Sequence, residues 1–202
     1  MTWPFGDLKM FGYDFVMIDP PWRWEAWGGG GEWKSPNRQY KTMTIEQIAA
    51  LPVGQLLRPN GVLWCWCTWP RIDLQSRMIA ESWGLDIKTG GAWAKRTASG
   101  KLRWGPGYIL RSVCEPFLIC TAGSGSDHGF GDGKTKNLIE TIDHALVDGI
   151  AREHSRKPEE AYQIVEALTP NAFRADVFSR RVAAGWDSFG DEIGKFAEAG
   201  AA

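Results

Sequence analysis

Eight consecutive residues, Gly61-Val62-Leu63-Trp64-Cys65-Trp66-Cys67-Thr68, carry almost no polar side chain. Strand side chains alternate between two faces, so a run apolar at every position belongs to a sheet covered on both sides. A second such run, Asp14 to Ile18, reads as a short buried strand. Between and after them lie stretches of helical period. Thr44, followed by Gln47, has the form of a capping box opening a helix that runs on through Leu51. Residues 71–83 place Ile72, Met78, Ile79 and Trp83 on one stripe, and Gly84 stops that helix. Further strands are expected at 85–95, 116–122, 145–151, 173–178 and 186–189. Pro59-Asn60-Gly61 reads as a turn, and Pro158 as the first turn of a helix capped by Ser155 or Lys157 and ended by Pro170-Asn171. Glu159 and Glu160 suit the positive end of that helix.

Alternating strands and helices predict an α/β fold, with a mostly parallel central sheet and helices on both faces. The length, 202 residues, suits a single domain. Its core is expected over about residues 5–192, with a lid loop at 23–39 around the glycines 28–31, and a frayed tail at 193–202. No apolar run of membrane-spanning length occurs and the start is no signal peptide, so the expected location is cytoplasmic, with no membrane partner. The four cysteines lack metal-site spacing and read as buried free thiols, not a disulfide or a zinc site. A formal net charge of −1 gives no general argument for a polyanion partner, although a local basic patch would suffice. Trp22, Trp24, Trp27 and Trp33 crowd a glycine-rich polar segment, as stacking surfaces for a base or as packing for the loop.

The chemistry concentrates in Asp19-Pro20-Pro21-Trp22, where the first strand ends. Ligands of parallel sheets bind beyond the carboxyl ends of the strands, where this acid stands. Two prolines stiffen the backbone behind it. The Asp19 carboxylate and the Pro20 carbonyl would then stand side by side as hydrogen-bond acceptors, with Trp22 as a flat wall. Paired acceptors beside an aromatic plane suit a planar ring bearing an amino group, such as adenine.

Asp19-Pro20-Pro21-Trp22 also resembles the catalytic motif of the N(6)-adenine methyltransferases of the MT-A70 family, of the bacterial and prophage type. Tyr40-Lys41-Thr42-Met43, Trp64-Cys65-Trp66, Trp83-Gly84 and Ala92-Trp93-Ala94-Lys95 resemble further segments of that family, in order. So do Gly105 to Gly107, Arg111, Cys114-Glu115, Glu153-His154-Ser155 with Lys157-Pro158, Asp176 to Arg180, and Gly185-Trp186 through Gly190. The resemblance implies a Rossmann-like, S-adenosylmethionine-dependent methyltransferase without a metal, which explains why no glycine-rich dinucleotide fingerprint is present. It implies Asp19, Pro20, Pro21 and Trp22 as the catalytic set. Ile18, Asp19, Phe178, Arg180, Asp191 and Glu192 would contact the cofactor, and Lys157 its methionine carboxylate or the target base. Asp191 departs from the asparagine usual there, and cannot donate a hydrogen bond as an amide does. Tyr40 would edge the base. Lys34 and Arg38 in the lid, with Lys95 and Arg111 opposite, would meet phosphates. The implied partner is nucleic acid, DNA ahead of RNA, with a protein partner or homodimer supplying target recognition. RNA adenosine as substrate, a non-catalytic nucleic-acid-binding subunit, and transfer to an amide are the alternatives.

Overall fold

Strand β1 (Tyr13–Ile18) is buried at all but one of its positions, and every other element is placed relative to it. The structure, a computed structural model, describes residues 2–23, 41–97, 99–105, 109–123, 130–131, 133–142, 157–191 and 193. After β1 come α1 (Ile45–Ala49), β2 (Leu57–Trp66), α2 (Ile72–Trp83), β3 (Asp86–Arg96), β4 (Cys114–Thr121), β5 (Leu138–Ile142), α3 (Glu159–Leu168), β6 (Arg174–Val177) and β7 (Trp186–Phe189). The strands form one seven-stranded sheet in the order β5-β3-β4-β2-β1-β6-β7. β1 pairs in parallel with β2 and β6, β6 with β7, and β3 with β5. β4 is antiparallel to both of its neighbours, β2 and β3. Six strands therefore run one way and β4 alone runs against them, so the start of β4 lies at the edge where the other six end.

Side-chain alternation along β1 and β2 divides the core in two. Val16, Ile18, Leu63 and Cys65 pack with Ile48 of α1 and with Met78, Ile79 and Trp83 of α2. Phe15, Met17, Val62, Trp64 and Trp66 pack on the other face with Ala161, Tyr162 and Val165 of α3. Helices on both faces are what the unbroken apolar run of β2 requires. Burying each large side chain contributes about 1.5–3 kcal/mol. Thr44 caps α1 in the expected box: its hydroxyl accepts the Gln47 N–H, and the Gln47 side chain accepts the Thr44 N–H. Gly84 ends α2 at φ +67°, the left-handed conformation that glycine adopts without penalty.

Three expectations change. Pro59-Asn60-Gly61 does not precede β2 but bulges within it: Tyr13 faces Leu57 and Phe15 already faces Val62. Asn60 absorbs the kink at φ +65°, and its N–H and the Gly61 carbonyl bond to Ala122, just past the end of β4. Strand β5 lies in a stretch to which the sequence reading assigns no element, whereas residues 145–151 fall outside the described set. Pro158 occupies the N-cap of α3, with no side-chain hydrogen bond there. All four cysteines are free, with Cys65, Cys67 and Cys120 buried. Among the described residues no helix is long and apolar enough to cross a membrane.

Candidate active site

The site is built where β1 stops. Backbone pairing continues one residue past the strand, Asp19 N–H donating to the Val177 carbonyl at 3.2 Å, and the prolines then turn the chain. The Trp22 N–H donates to the Pro20 carbonyl at 2.7 Å, closing a three-residue turn about Pro21. The Pro20 carbonyl thus commits one lone pair to the turn and keeps one. The Pro21 carbonyl accepts the Met43 N–H at 2.8 Å, and the Met43 carbonyl accepts the Arg23 N–H at 3.0 Å. The Asp19–Trp22 segment is thus sewn to Met43, close to it in space though not in sequence. Trp22 donates its indole N–H to the Trp66 carbonyl at 3.0 Å and packs against the α1–α2 side of the core.

By alternation from Met17, the Asp19 side chain faces the α3 side, where a chain of alternating charges receives it. Lys157 Nζ lies 3.1 Å from Asp19 Oδ1 and 3.1 Å from Glu115 Oε2. Glu115 Oε1 in turn accepts Lys95 Nζ at 2.9 Å. Both ammonium groups rest on aromatic faces, Lys157 at 5.2 Å from the Trp66 centroid and Lys95 at 4.1 Å from that of Trp93. The reversed direction of β4 makes this possible. Glu115 starts its strand and Lys95 nearly ends its own, yet both reach the same edge.

Burial pushes the Asp19 carboxyl above the ordinary carboxylate range; Lys157 opposes this and the negative Glu115 adds to it. Burial acts on Glu115 in the same sense, but Lys157 and Lys95 outweigh it and bring its pKa down to about 2. Lys157 is held well above the ordinary lysine range: burial works against its charge, and Asp19 and Glu115 overcome it. At neutral pH Glu115 and Lys157 are both charged.

A second group of contacts forms the corner after β6. Phe178 sits at φ +62°, a conformation that costs a bulky residue roughly 1–3 kcal/mol, with its ring against Phe189. The Ser179 N–H bonds to the Phe189 carbonyl at 2.9 Å. A Cβ on Gly190 would stand 2.3 Å from the Ser179 carbonyl oxygen, so the chains leaving β6 and β7 lie backbone to backbone. Arg180 and Asp191 follow at this edge, and the Arg180 charge acts on Asp19. Beneath the corner, Asp176 is buried and accepts the Tyr162 hydroxyl at 2.9 Å and the Ser179 hydroxyl at 2.7 Å. Burial raises Asp176 to about 6, against the pull of those two donors.

A family model described as MT-A70 matches residues 13–192. The chain belongs to the MT-A70 family. Among its curated relatives, the human N(6)-adenine-specific methyltransferase METTL4 is 27% identical over 198 residues, covering 91% of this chain and 38% of that protein. The N6-methyladenosine RNA methyltransferase MTA1 of Cryphonectria parasitica is 27% identical over 193 residues, 91% of this chain and 52% of that one. The type II methyltransferase M.MunI of a Mycoplasma species is 26% identical over 212 residues, 94% of this chain and 81% of that one. The chain thus spans about half or less of the first two relatives.

The structure of this MT-A70 chain brings together Asp19, Pro20, Pro21, Trp22, Lys157 and Lys95, and sets Phe178, Arg180 and Asp191 at the neighbouring corner. Lys95 is bound into the charge chain, and the neighbouring Arg96 pairs with Glu140. Arg111 lies over the exposed Trp104 ring at 4.8 Å. The Ile18 side chain is wholly buried and only its backbone borders the site. Lys34, Arg38, Tyr40, Glu192, Ser155 and the greater part of the lid lie outside the described residues. Among the described residues no histidine, cysteine, aspartate and glutamate cluster is arranged to hold a metal ion. Glu115, which joins two lysines, appears in the sequence only as a family-like acid beside a proline; nothing there shows which edge it faces.

Proposed function

We propose that this chain transfers a methyl group from S-adenosylmethionine to the exocyclic N(6) amine of adenine in nucleic acid, with DNA ahead of RNA. The observation that carries the reading is the Asp19 carboxylate, fixed at the end of β1 by a proline turn and left 28% exposed. Support for adenine comes from the activities for which relatives such as METTL4 and MTA1 are named. Support for DNA comes from the extent of the match to the type II methyltransferase, 81% of its length.

The residues at the β6–β7 corner fit the methyl donor. A cation at Arg180 suits its carboxylate, and acids at Asp191 and Glu192 suit ribose hydroxyls. Phe178, with the backbone of Ile18, would border its adenosine. When bound, S-adenosylmethionine supplies an electrophilic methyl on a sulfonium. Asp19 would do the rest through position and charge. An adenine amine is a poor nucleophile because its lone pair is delocalised into the ring. Accepting its N–H bonds at Asp19 and at the remaining lone pair of Pro20 favours a tetrahedral nitrogen. A negative carboxylate beside that nitrogen stabilises its developing positive charge. Trp22, its indole N–H already bound, presents a fixed ring against which a flat base can lie. A duplex adenine would be flipped out to arrive here.

Mass spectrometry of nucleosides from DNA and from RNA of cells expressing the protein tests the reading. N(6)-methyladenine is expected in DNA with the natural chain and is expected to vanish with Asp19→Ala. Methylation confined to RNA would replace DNA with RNA as substrate, and full activity in Asp19→Ala would overturn the role of Asp19.

A further inference from the structure

Lys157 holds one of the two carboxylate oxygens that the substrate amine would use. Its ammonium already donates to Asp19 Oδ1 at 3.1 Å, so an adenine amine approaching that oxygen competes with a cation for it. A cation left against Asp19 would also oppose the positive charge that grows on the nitrogen during methyl transfer. The same ammonium is equally close, 3.1 Å, to Glu115 Oε2, and its side chain is only 12% exposed, against 28% for Asp19 and 37% for Glu115. Lys157 is therefore enclosed, shared between two carboxylates, and seated on the Trp66 ring. Glu115 is anchored from behind by Lys95 at 2.9 Å, so it can draw Lys157 without moving toward it.

We infer that Glu115 is a positioning residue: it takes the Lys157 ammonium as the adenine amine displaces it from Asp19, freeing the carboxylate to accept the amine. The inference rests on the functional reading above and adds to it a residue that touches neither base nor methyl donor. It makes substrate binding an exchange of one hydrogen-bond donor for another at Asp19, with the lysine kept charged and paired throughout. Without the Glu115 charge, Lys157 has only Asp19 to bind, and the amine must compete with an undivided ion pair.

The test uses the whole protein with S-adenosylhomocysteine and a single-stranded oligodeoxynucleotide holding one adenine. Glu115→Gln keeps the shape and removes the charge. It should weaken oligonucleotide binding about tenfold, the effect of one charged contact, and raise KM more than it lowers kcat, while S-adenosylmethionine affinity stays within about twofold. Glu115→Asp should recover part of the loss. On a Lys157→Met background, Glu115→Gln should change binding by less than about twofold, because no ammonium remains to be moved. If Lys157→Met fails to fold, lysine Nζ resonances decide: the Lys157 signal should shift when oligonucleotide is added to the natural protein and stay still in Glu115→Gln. Normal binding by Glu115→Gln, an undiminished penalty on the Lys157→Met background, or an unmoved Lys157 signal in the natural protein would overturn the inference. Natural protein that transfers no methyl to DNA or RNA would overturn the functional reading instead.

Discussion

Lys157→Met removes the cation that Asp19 and Glu115 share, and the cost can be worked out from the site. In the natural protein the Glu115 pKa is drawn from 4.5 to about 2. A shift of that size is at most about 3 kcal/mol. With 37% of the side chain exposed, solvent screening reduces it to about 1–2 kcal/mol. Lys95 retains part of this, but Asp19 is left as an unpaired carboxylate beside a second one, a further penalty of about 1–2 kcal/mol after allowance for its exposure. The expected loss is about 2–3 kcal/mol near neutral pH, a fall in Tm of about 5–10 °C. The sign with pH follows from the direction of the shifts. A carboxyl whose folded pKa is depressed stabilises the fold above its unfolded value, and that contribution is lost as pH falls from about 4.5 towards about 2. In the variant both carboxyls move upward and disfavour the fold once ionised. Urea unfolding of the two proteins at about pH 8 and about pH 5 should therefore show a gap that narrows on acidification. A gap that stays constant, or widens at the lower pH, would refute the charge-sharing account of these residues.

Other consequences are as direct. Asp19→Asn should lower kcat by about a thousandfold or more while calorimetry shows S-adenosylmethionine affinity little changed, because the lost charge acts on the amine. Gly190→Ala would drive a Cβ to 2.3 Å from the Ser179 carbonyl. It should cost about 3 kcal/mol in chemical unfolding and weaken cofactor binding along with stability. Tyr162→Phe takes one of two hydroxyl donors from the buried Asp176 carboxylate, for a loss of about 1–3 kcal/mol. Asp176 already has its pKa raised to about 6, so its burial favours the fold most below the unfolded value and progressively less as pH rises through about 6. Thermal unfolding should accordingly show the Tyr162→Phe deficit growing from about pH 5 to about pH 7.5.

Local chemistry was readable where it is written in adjacent residues. Thr44 and Gln47 announce a cap because both halves of the box lie within one turn, and Gly84 ends α2 because a left-handed residue is needed there. The two-sided apolar run of β2 foretold helices on both faces. What could not be read was direction and distance. Nothing in Cys114 to Thr121 says that this strand runs against its neighbours, so Glu115 could not be placed opposite Asp19 and Lys157 from sequence. Pro59-Asn60-Gly61 has the composition of a turn, and only its bonds to Ala122 make it a bulge inside a strand. Lys95 reads as a phosphate contact because its partner Glu115 is far away in the chain. Gln75 breaks the apolar stripe of α2, yet it is buried because it bonds both Thr68 polar groups at the end of β2.

The position of β4 also bears on how the protein is assembled. β4 follows β3 in the chain but lies between β3 and β2, so those two strands never pair and stand about two strand spacings, or about 10 Å, apart. Filling that gap takes an antiparallel register on each side of β4, and contacts between residues distant in sequence form slowly. The insertion delivers Glu115 to the edge where Asp19 waits. A chain halted before that step could already hold β1, β2 and their covering helices, with the acid–proline–proline turn in place, but Lys157 would have Asp19 alone to bind. Competence to accept an amine would then arise only once β4 is in place.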